Sequence, residues 1–256
     1  MTPPTTPETS VTVLSAQPIA WLPWSICPFT DTLAVFRFKL IGEVLVVTQP
    51  TSLQSDEIGR AQRYRQVADQ NRFIYTRHIL RVLLGQYTQR APATIGITTG
   101  FNQKPELTDI TNWHMNVSHS GDWILVVINT SNVGIDVEEI DTKFTFPDLL
   151  PTSFSEAEQQ LIWADANPRL AFYQLWTRKE ALVKATAKGL DDDFRMIPSS
   201  TGTHTIDSHL LGADGDWTVQ SFPVCDDYVG AVAYQRTVAL PKFYTIDSGF
   251  FAHFTS

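Results

Sequence analysis

The chain has 256 residues, of which 43% are hydrophobic, enough to bury a sizeable core as one large domain or two modest halves. Its formal net charge of −8 disfavours binding to nucleic acid, which needs a basic surface. Two distant cysteines, Cys27 and Cys225, fit neither a zinc cluster nor a disulfide framework and predict a reducing, cytoplasmic setting.

The N-terminal segment, "MTPPTTPETS", is rich in proline and threonine and has neither the basic start nor the apolar stretch of a signal peptide. We therefore expect residues 1–14 to form a disordered tail. Further along, no apolar run approaches the length of about 20 residues that a membrane-spanning helix needs, so no membrane association is predicted.

The first half predicts strands around a long helical region. Residues 32–49 resemble two strands with a turn near Gly42, and residues 52–89 are helical in composition, dividing before the candidate N-cap Asp69. "GFNQKPEL" predicts a turn, and "MNVSHSGDWILVVIN" predicts a short strand, a polar break and a buried strand. The next strand is "VGIDVEEI", and together these segments indicate a sheet with antiparallel pairing.

The second half repeats this arrangement. "FSEAEQQLIWADA" predicts a helix whose Ser155 and Glu158 form a capping box. After Pro168 a long helix ends at Gly189, and "DWTVQSF" with "YVGAVAYQR" predicts a final hairpin. Because each half offers strands around a long helix, a structural duplication is compatible with the sequence, with halves at 15–131 and 132–256.

Two carboxylates in "NVGIDVEEID" are the first candidate for chemistry. Asp136 and Glu138 are two residues apart on a predicted strand, so they share one face and repel each other unless a positive charge lies between them. Mg²⁺ fits this position because it binds oxygen ligands, with Glu180 as the candidate third carboxylate. Zinc is disfavoured, since no His/Cys cluster accompanies the acids. The alternative is a strand that ends at the surface.

The long second helix places Glu180 and Lys184 four residues apart, on one face. A functional interpretation pairs this lysine with the acids of the preceding strand. The simpler alternative is a surface ion pair that contributes about 0.3–0.5 kcal/mol.

Three segments of the first half offer phosphate contacts. Ser118 and His119 lie in "NVSHSGDW", where they are adjacent and should point apart, which argues against a Ser–His catalytic pair. Lys104 precedes Pro105 in a rigid turn; ordinary surface turns are the alternative for both segments. A cluster of arginines could hold a polyanion, although some are expected to be solvated charges. Its members are Arg60, Arg63, Arg65, Arg72, Arg77 and Arg81.

The order of these motifs is more specific than any one of them. "QKPEL", "NVSHSGDW", "VGIDVEE", "FSEAE" and "LWTRKEALVKATAKGL" follow one another in a pattern that strongly resembles the 4′-phosphopantetheinyl transferase superfamily. The likeness covers roughly residues 55–195 and favours the two-halved, surfactin-synthetase-activating type. One departure is Gln103, which stands where the family commonly has glycine before its Lys-Pro turn.

The resemblance implies an α+β fold of two similar halves related by a pseudo-twofold axis, with coenzyme A in the cleft between them. It also implies a reaction, in which a serine of an apo acyl, polyketide or peptidyl carrier protein attacks the β-phosphate of coenzyme A. Phosphopantetheine moves to that serine and 3′,5′-ADP leaves. The implied cofactor is Mg²⁺, with Mn²⁺ as a substitute, and enzymes of this type are usually monomeric.

The resemblance also assigns roles to residues. It implies metal ligands at Asp136, Glu138 and Glu180. It implies catalytic roles for Glu180, Lys184, Glu158 and His119. It implies contacts with coenzyme A at Arg60, Arg72, Arg77, Lys104, Pro105, Ser118, His119 and Lys184. For Glu158 two readings stay open, a general base and a purely structural capping residue.

Two other functions remain as alternatives. One is a non-catalytic protein that binds coenzyme A or a carrier, and the other is a metal-dependent hydrolase of a pyrophosphate. The carrier surface is also open: Phe144, Phe146 and Leu149 in "KFTFPDLLPTSF" could dock a carrier or could pack on the second half.

Overall fold

The computed structural model describes residues 7–40, 52–100, 102, 104–110, 112–189, 193–235 and 240–254. Its strands are β1 Glu8–Leu14, β2 Trp21–Pro23, β3 Leu33–Lys39, β4 Ile97–Thr99, β5 Pro105–Leu107, β6 His114–Ser120, β7 Trp123–Asn129, β8 Val133–Glu139, β9 Gly202–Asp207, β10 Asp216–Cys225, β11 Tyr228–Gln235 and β12 Lys242–Thr245. Its α-helices are α1 Ser55–Ala61, α2 Val67–Thr88, α3 Leu150–Ser153, α4 Glu156–Ala164, α5 Pro168–Thr186, α6 Ser208–Leu211 and α7 Ser248–Phe254.

Two five-stranded sheets form the frame of the molecule, in the orders β2-β12-β3-β7-β6 and β8-β11-β10-β1-β9. The first sheet packs on α2 through side chains such as Phe36 and Leu83, and the second packs on α5 through Val219 and Leu182. A third apolar cluster, which includes Val127 of the first sheet, lies where the sheets meet. The predicted α+β fold of two halves, each a sheet with a long helix, is confirmed.

The predicted tail at 1–14 is wrong for its described part. Residues Glu8–Leu14 form β1, which pairs in parallel with β10 and antiparallel with β9, and Val11 and Val13 are buried. The prediction relied on the Pro/Thr-rich composition of the segment. The alternation of apolar and polar residues in "ETSVTVL" is instead the pattern of a half-buried strand.

The two ends of the chain cross the predicted division at residues 131 and 132, because each end joins the sheet of the other half. The N-terminal β1 lies inside the second sheet, whereas the C-terminal β12 pairs in parallel with β2 and β3 of the first. Strand partners so distant in sequence leave no local signal, which is why a contiguous division is the natural expectation.

Several local predictions differ in detail. Helix α2 begins after Gln66, and Asp69 lies in its first turn and does not cap it. The predicted polar break is part of β6, with the turn itself at Gly121, whose φ is +51°. The second of the two strands predicted within 32–49 lies in 41–49, outside the described residues. The capping box of Ser155, the long helix α5 and the final hairpin of β10 and β11 are confirmed. No helix in the described ranges has both the length and the apolar character to cross a membrane.

Candidate active site

The candidate site lies where the two sheets meet edge to edge. Strand β6 is the last strand of the first sheet, β8 is the first strand of the second, and α5 packs directly on β8. Gly134 permits that close packing, since a Cβ at this position would lie 2.1 Å from the carbonyl oxygen of Ala181. The absence of a side chain at Gly134 thereby brings Glu180 and Lys184 of α5 to the acids of β8.

Lys184 and Asp136 form the central contact of the site. The Lys184 Nζ donates to Asp136 Oδ1 at 2.6 Å and to Ser118 Oγ at 3.1 Å. Burial alone would lower the pKa of Lys184, but the adjacent Asp136 outweighs it and raises that pKa above its ordinary value. The lysine therefore carries its charge throughout the neutral range.

Glu138 and Glu180, the other acids of the site, have too little positive charge near them to balance their own. Burial, together with the negative charge of Asp136, raises the pKa of Glu138 and of Glu180 from 4.5 to about 7. The second oxygen of Asp136, Oδ2, is buried without a hydrogen-bond partner. The single positive charge of Lys184 does not balance three neighbouring carboxylates. A further cation at this site would therefore be stabilised.

Within the described ranges, no three acidic, His or Cys side chains are already arranged as a closed metal cage. The donor set of Asp136, Glu138 and Glu180 consists of oxygen alone, which is the chemistry that Mg²⁺ prefers. The unpartnered Asp136 Oδ2 and the raised pKa values of Glu138 and Glu180 fit the Mg²⁺ ion that the sequence implies.

Ser118 and His119 point in opposite directions, as expected for neighbours on a strand. The Ser118 hydroxyl is buried and donates its single proton to Asp136 Oδ1 at 2.8 Å. In this arrangement the single hydroxyl proton of Ser118 is directed to Asp136, and its predicted contact with a phosphate stays a prediction. His119 lies on the other face, where burial and the charges of Arg72 and Lys184 lower the pKa of its imidazole.

His119 lines a cleft of about 290 Å³ beside three of the predicted arginines, Arg60, Arg72 and Arg77. Arg72 pairs with Asp69 at 2.9 Å, yet its Nε, like Arg77 Nη1, is buried with no hydrogen-bond partner. Buried donors without acceptors are costly and mark a place where an anion would be stabilised. The structure therefore brings together these four predicted residues, although they come from three elements of the chain.

Lys104 is engaged by the protein itself. Its Nζ donates to the carbonyl of Ala185 at 2.8 Å and to that of Val133 at 3.3 Å, and burial lowers its pKa to about 8. These bonds attach the β4–β5 hairpin to the end of α5, while Pro105 lines the adjoining clefts. Gln103, the departure from the family pattern, lies outside the described residues.

Glu158 belongs to a closed network away from these clefts. Its Oε1 accepts from the backbone N and the Oγ of Ser199, and its Oε2 accepts from Ser155 N at 2.9 Å and lies 3.0 Å from Lys179 Nζ. Burial would raise the pKa of Glu158, but Lys179 and the hydrogen bonds keep it below its ordinary value. With its oxygens occupied and its proton affinity reduced, Glu158 is a structural residue, and the general-base assignment is not supported.

Two family models match this chain. A family model described as the 4′-phosphopantetheinyl transferase superfamily matches residues 132–233, and one described as 4′-phosphopantetheinyl transferase, N-terminal, matches residues 45–131. The chain belongs to this superfamily.

Three relatives show the extent of the likeness to the superfamily. A Synechocystis protein, provisionally named a 4′-phosphopantetheinyl transferase, is 36% identical over 73% of this chain and 78% of its own. HetI of Nostoc sp. is 30% identical over 88% of this chain and 97% of its own. Sfp of Bacillus subtilis is 28% identical over 59% of this chain and 70% of its own.

The site joins the two family segments. The superfamily segment contributes the acids and Lys184, and the N-terminal segment contributes His119 and the arginines of the cleft. Within this site, sequence reasoning missed two polar residues of β6, Asn116 and Ser120, which contact β8. Their spacing of two residues on either side of Ser118 is the signal that could have found them.

Two other predictions concern residues that turn out to be structural. Arg81, included in the arginine cluster, has a fully buried side chain and donates to Glu57 at 2.8 Å. Phe146, a candidate for carrier docking, is buried and stacks on Phe172, whereas Phe144 stays 39% exposed. The packing alternative therefore holds for Phe146.

Proposed function

We propose that this protein transfers 4′-phosphopantetheine from coenzyme A to a serine of an apo carrier protein. The serine oxygen forms a bond to the β-phosphorus, the bond from that phosphorus to the leaving oxygen breaks, the serine proton is lost and 3′,5′-ADP departs. The proposal rests on two neighbouring features at the seam, the line where β6 lies beside β8. One is the cluster of Lys184 with its acids, and the other is the anion cleft that His119 and the arginines line.

The anion cleft suits the phosphates of coenzyme A. Arg60, Arg72 and Arg77 would hold the 3′-phosphate, since buried guanidinium donors there lack acceptors. His119, on the same cleft, would lie toward the pyrophosphate. Lys104 and Pro105 would border the adenine, with Lys104 acting through the backbone that it holds in place.

The acids would hold Mg²⁺, or Mn²⁺ in its place, through Asp136, Glu138 and Glu180. When bound, this ion supplies neutralisation of charge on the pyrophosphate. Lys184, protonated at neutral pH, would contact the phosphates and hold at Nζ a proton that can pass to the leaving oxygen. Since Glu158 is enclosed, a water beside the acids remains the candidate acceptor of the serine proton.

The carrier partner and the setting are part of the same proposal. A carrier would bring its serine in line with the leaving oxygen, so its docking geometry contributes directly to the rate. We propose that the protein acts as a monomer in the cytoplasm. The exposed side chain of Phe144 is retained as a candidate carrier contact.

The test is a panel of apo carriers incubated with coenzyme A and Mg²⁺ and read by intact mass. A mass gain of one phosphopantetheine on the carrier supports transfer. Binding of coenzyme A without this gain would favour a non-catalytic protein, and release of free phosphopantetheine without a carrier would favour a hydrolase.

A further inference from the structure

The seam between the two halves is closed by side chains. Strands β6 and β8 are edge strands of different sheets, and in the described part of the chain no strand pairing joins them. An edge strand leaves backbone groups unpaired, and a buried edge has to satisfy them in another way. Here Asn116 of β6 supplies a side-chain oxygen, which accepts from the backbone N of Ile135 in β8 at 3.0 Å.

Three alternate residues of β6 make this connection, because Asn116, Ser118 and Ser120 share one face of the strand. Ser118 donates to Asp136, and Ser120 donates to Glu138 Oε2 at 3.0 Å. Each of the two proposed metal ligands on β8 therefore receives a hydrogen bond from its own serine on the opposite half.

Ser120 is held by two bonds, and these fix the direction of its proton. Its Oγ accepts from the backbone N of Glu139 at 3.1 Å, so the hydroxyl proton is directed to Glu138 Oε2. The backbone bond anchors the hydroxyl to β8, and the second bond orients the carboxylate. Glu138 Oε2 is thus held toward the seam, which leaves Oε1 as the oxygen available to a cation.

We propose that Ser120 is a positioning residue that presents Glu138 to the divalent cation and couples its orientation to the first half of the molecule. This proposal rests on the proposed metal assignment. Residues that orient a metal ligand through a hydrogen bond commonly contribute about 10- to 100-fold to metal affinity or activity. Ser120 would act without touching coenzyme A or the carrier.

The experiment measures binding of Mn²⁺ alone, by electron paramagnetic resonance of the free ion, to the full-length protein and to Ser120→Ala. We expect the Kd for Mn²⁺ to rise about 10-fold in Ser120→Ala. Ser120→Thr, which keeps the hydroxyl, should restore a Kd near that of the unaltered protein. An unchanged Kd in Ser120→Ala, or no binding of Mn²⁺ to the unaltered protein, would overturn the proposal.

Ser199→Ala is the matched control. Its hydroxyl also donates to a buried glutamate, at 2.6 Å, but that glutamate is the enclosed Glu158. The control should lower the melting temperature and leave the Kd for Mn²⁺ unchanged, and an equal loss of Mn²⁺ affinity in both variants would overturn the specific role of Ser120. If Ser120→Ala does not fold, the near-isosteric Ser120→Cys carries the same expectation. Because this readout needs neither carrier nor coenzyme A, a failure of the transferase proposal is separately visible in the intact-mass assay.

Discussion

Helix α5 carries two lysines that each pair with a buried acid, and the two pairs differ in how completely they are enclosed. Lys179, with a fully buried side chain, contacts Glu158 and donates to backbone carbonyls, including that of Ile197 at 2.5 Å. Lys184, whose side chain is 32% exposed, contacts Asp136 beside two further acids. Two lysines that are five positions apart on one helix therefore lie in different electrostatic surroundings.

The two pairs differ in whether every carboxylate oxygen has a hydrogen-bond partner. At Glu158 both oxygens are bonded and the carboxylate is stabilised in its charged form. At the Lys184 site Asp136 Oδ2 has no hydrogen-bond partner, and Glu138 and Glu180 resist ionisation because they are buried and because Asp136 adds negative charge beside them. An ion pair whose atoms are all hydrogen-bonded, as at Glu158, stabilises the fold. An ion pair that keeps an unpartnered oxygen beside a cleft, as at Asp136, can still bind a ligand.

Removal of one of the three acids beside Lys184 should cause the greatest loss of transfer. Asp136→Ala, Glu138→Ala and Glu180→Ala should each lower kcat by about 100- to 1000-fold, because charge on the pyrophosphate is no longer balanced. Steady-state transfer to an apo carrier measures this, with circular dichroism as the check on folding. Full activity in any one of the three would refute its place in the metal site.

The closed pair should respond in the opposite way. Glu158→Gln should lower the free energy of unfolding by about 3 kcal/mol, since Lys179 is left buried without its counter-charge. At a temperature where the variant is folded, kcat should stay close to that of the unaltered protein. Denaturant unfolding and a transfer assay on the same sample decide this. A large fall in kcat with unchanged stability would return Glu158 to the role of general base.

Lys184→Ala should lower kcat by about 10- to 100-fold while changing the affinity for coenzyme A less. The reason is that Lys184 sits among the acids and not in the arginine cleft, so its charge matters most as the leaving oxygen develops. Calorimetric titration with coenzyme A separates the two effects. An unchanged kcat would count against the proposed role.

The smallest effect concerns pH in the metal-free protein. The pKa of Glu180 is raised from 4.5 to about 7 by burial and by Asp136, so the folded state binds the proton more tightly than the unfolded chain does. Its stabilising contribution is complete below about pH 4.5 and is lost as the pH rises through 7. With a chelator present, the unaltered protein should lose about 3 °C more in Tm than Glu180→Gln between pH 5 and pH 7.5.

Parallel melting curves of the two proteins at each pH provide the measurement. Addition of Mg²⁺ at the higher pH should restore the Tm of the unaltered protein, because the ion binds the deprotonated acids. Identical pH slopes in the two proteins would show that Glu180 does not titrate in this range.

Much of the fold was predictable because its signals are local. The period of α5, the Ser155 capping box and the hairpin of β10 and β11 depend on residues close in sequence, and all were confirmed. The placement of β1 and β12 was not predictable, since β1 pairs with β10, and β12 with β3, across more than 200 residues of the chain. The alternation of apolar and polar residues in "ETSVTVL" indicates a strand, but it does not identify the strand with which it pairs.

The residue types that could do chemistry were evident from the sequence, and the order of the motifs pointed to the superfamily. The sequence could not distinguish the two acid–lysine pairs, Glu158 with Lys179 and Asp136 with Lys184, because the partners of each pair lie far apart in the sequence. The three-dimensional structure distinguishes them, because both oxygens of Glu158 have partners whereas Asp136 Oδ2 has none. Whether a buried polar atom has a hydrogen-bond partner depends on residues that folding brings from elsewhere in the chain. It therefore cannot be inferred from the spacing of residues in the sequence.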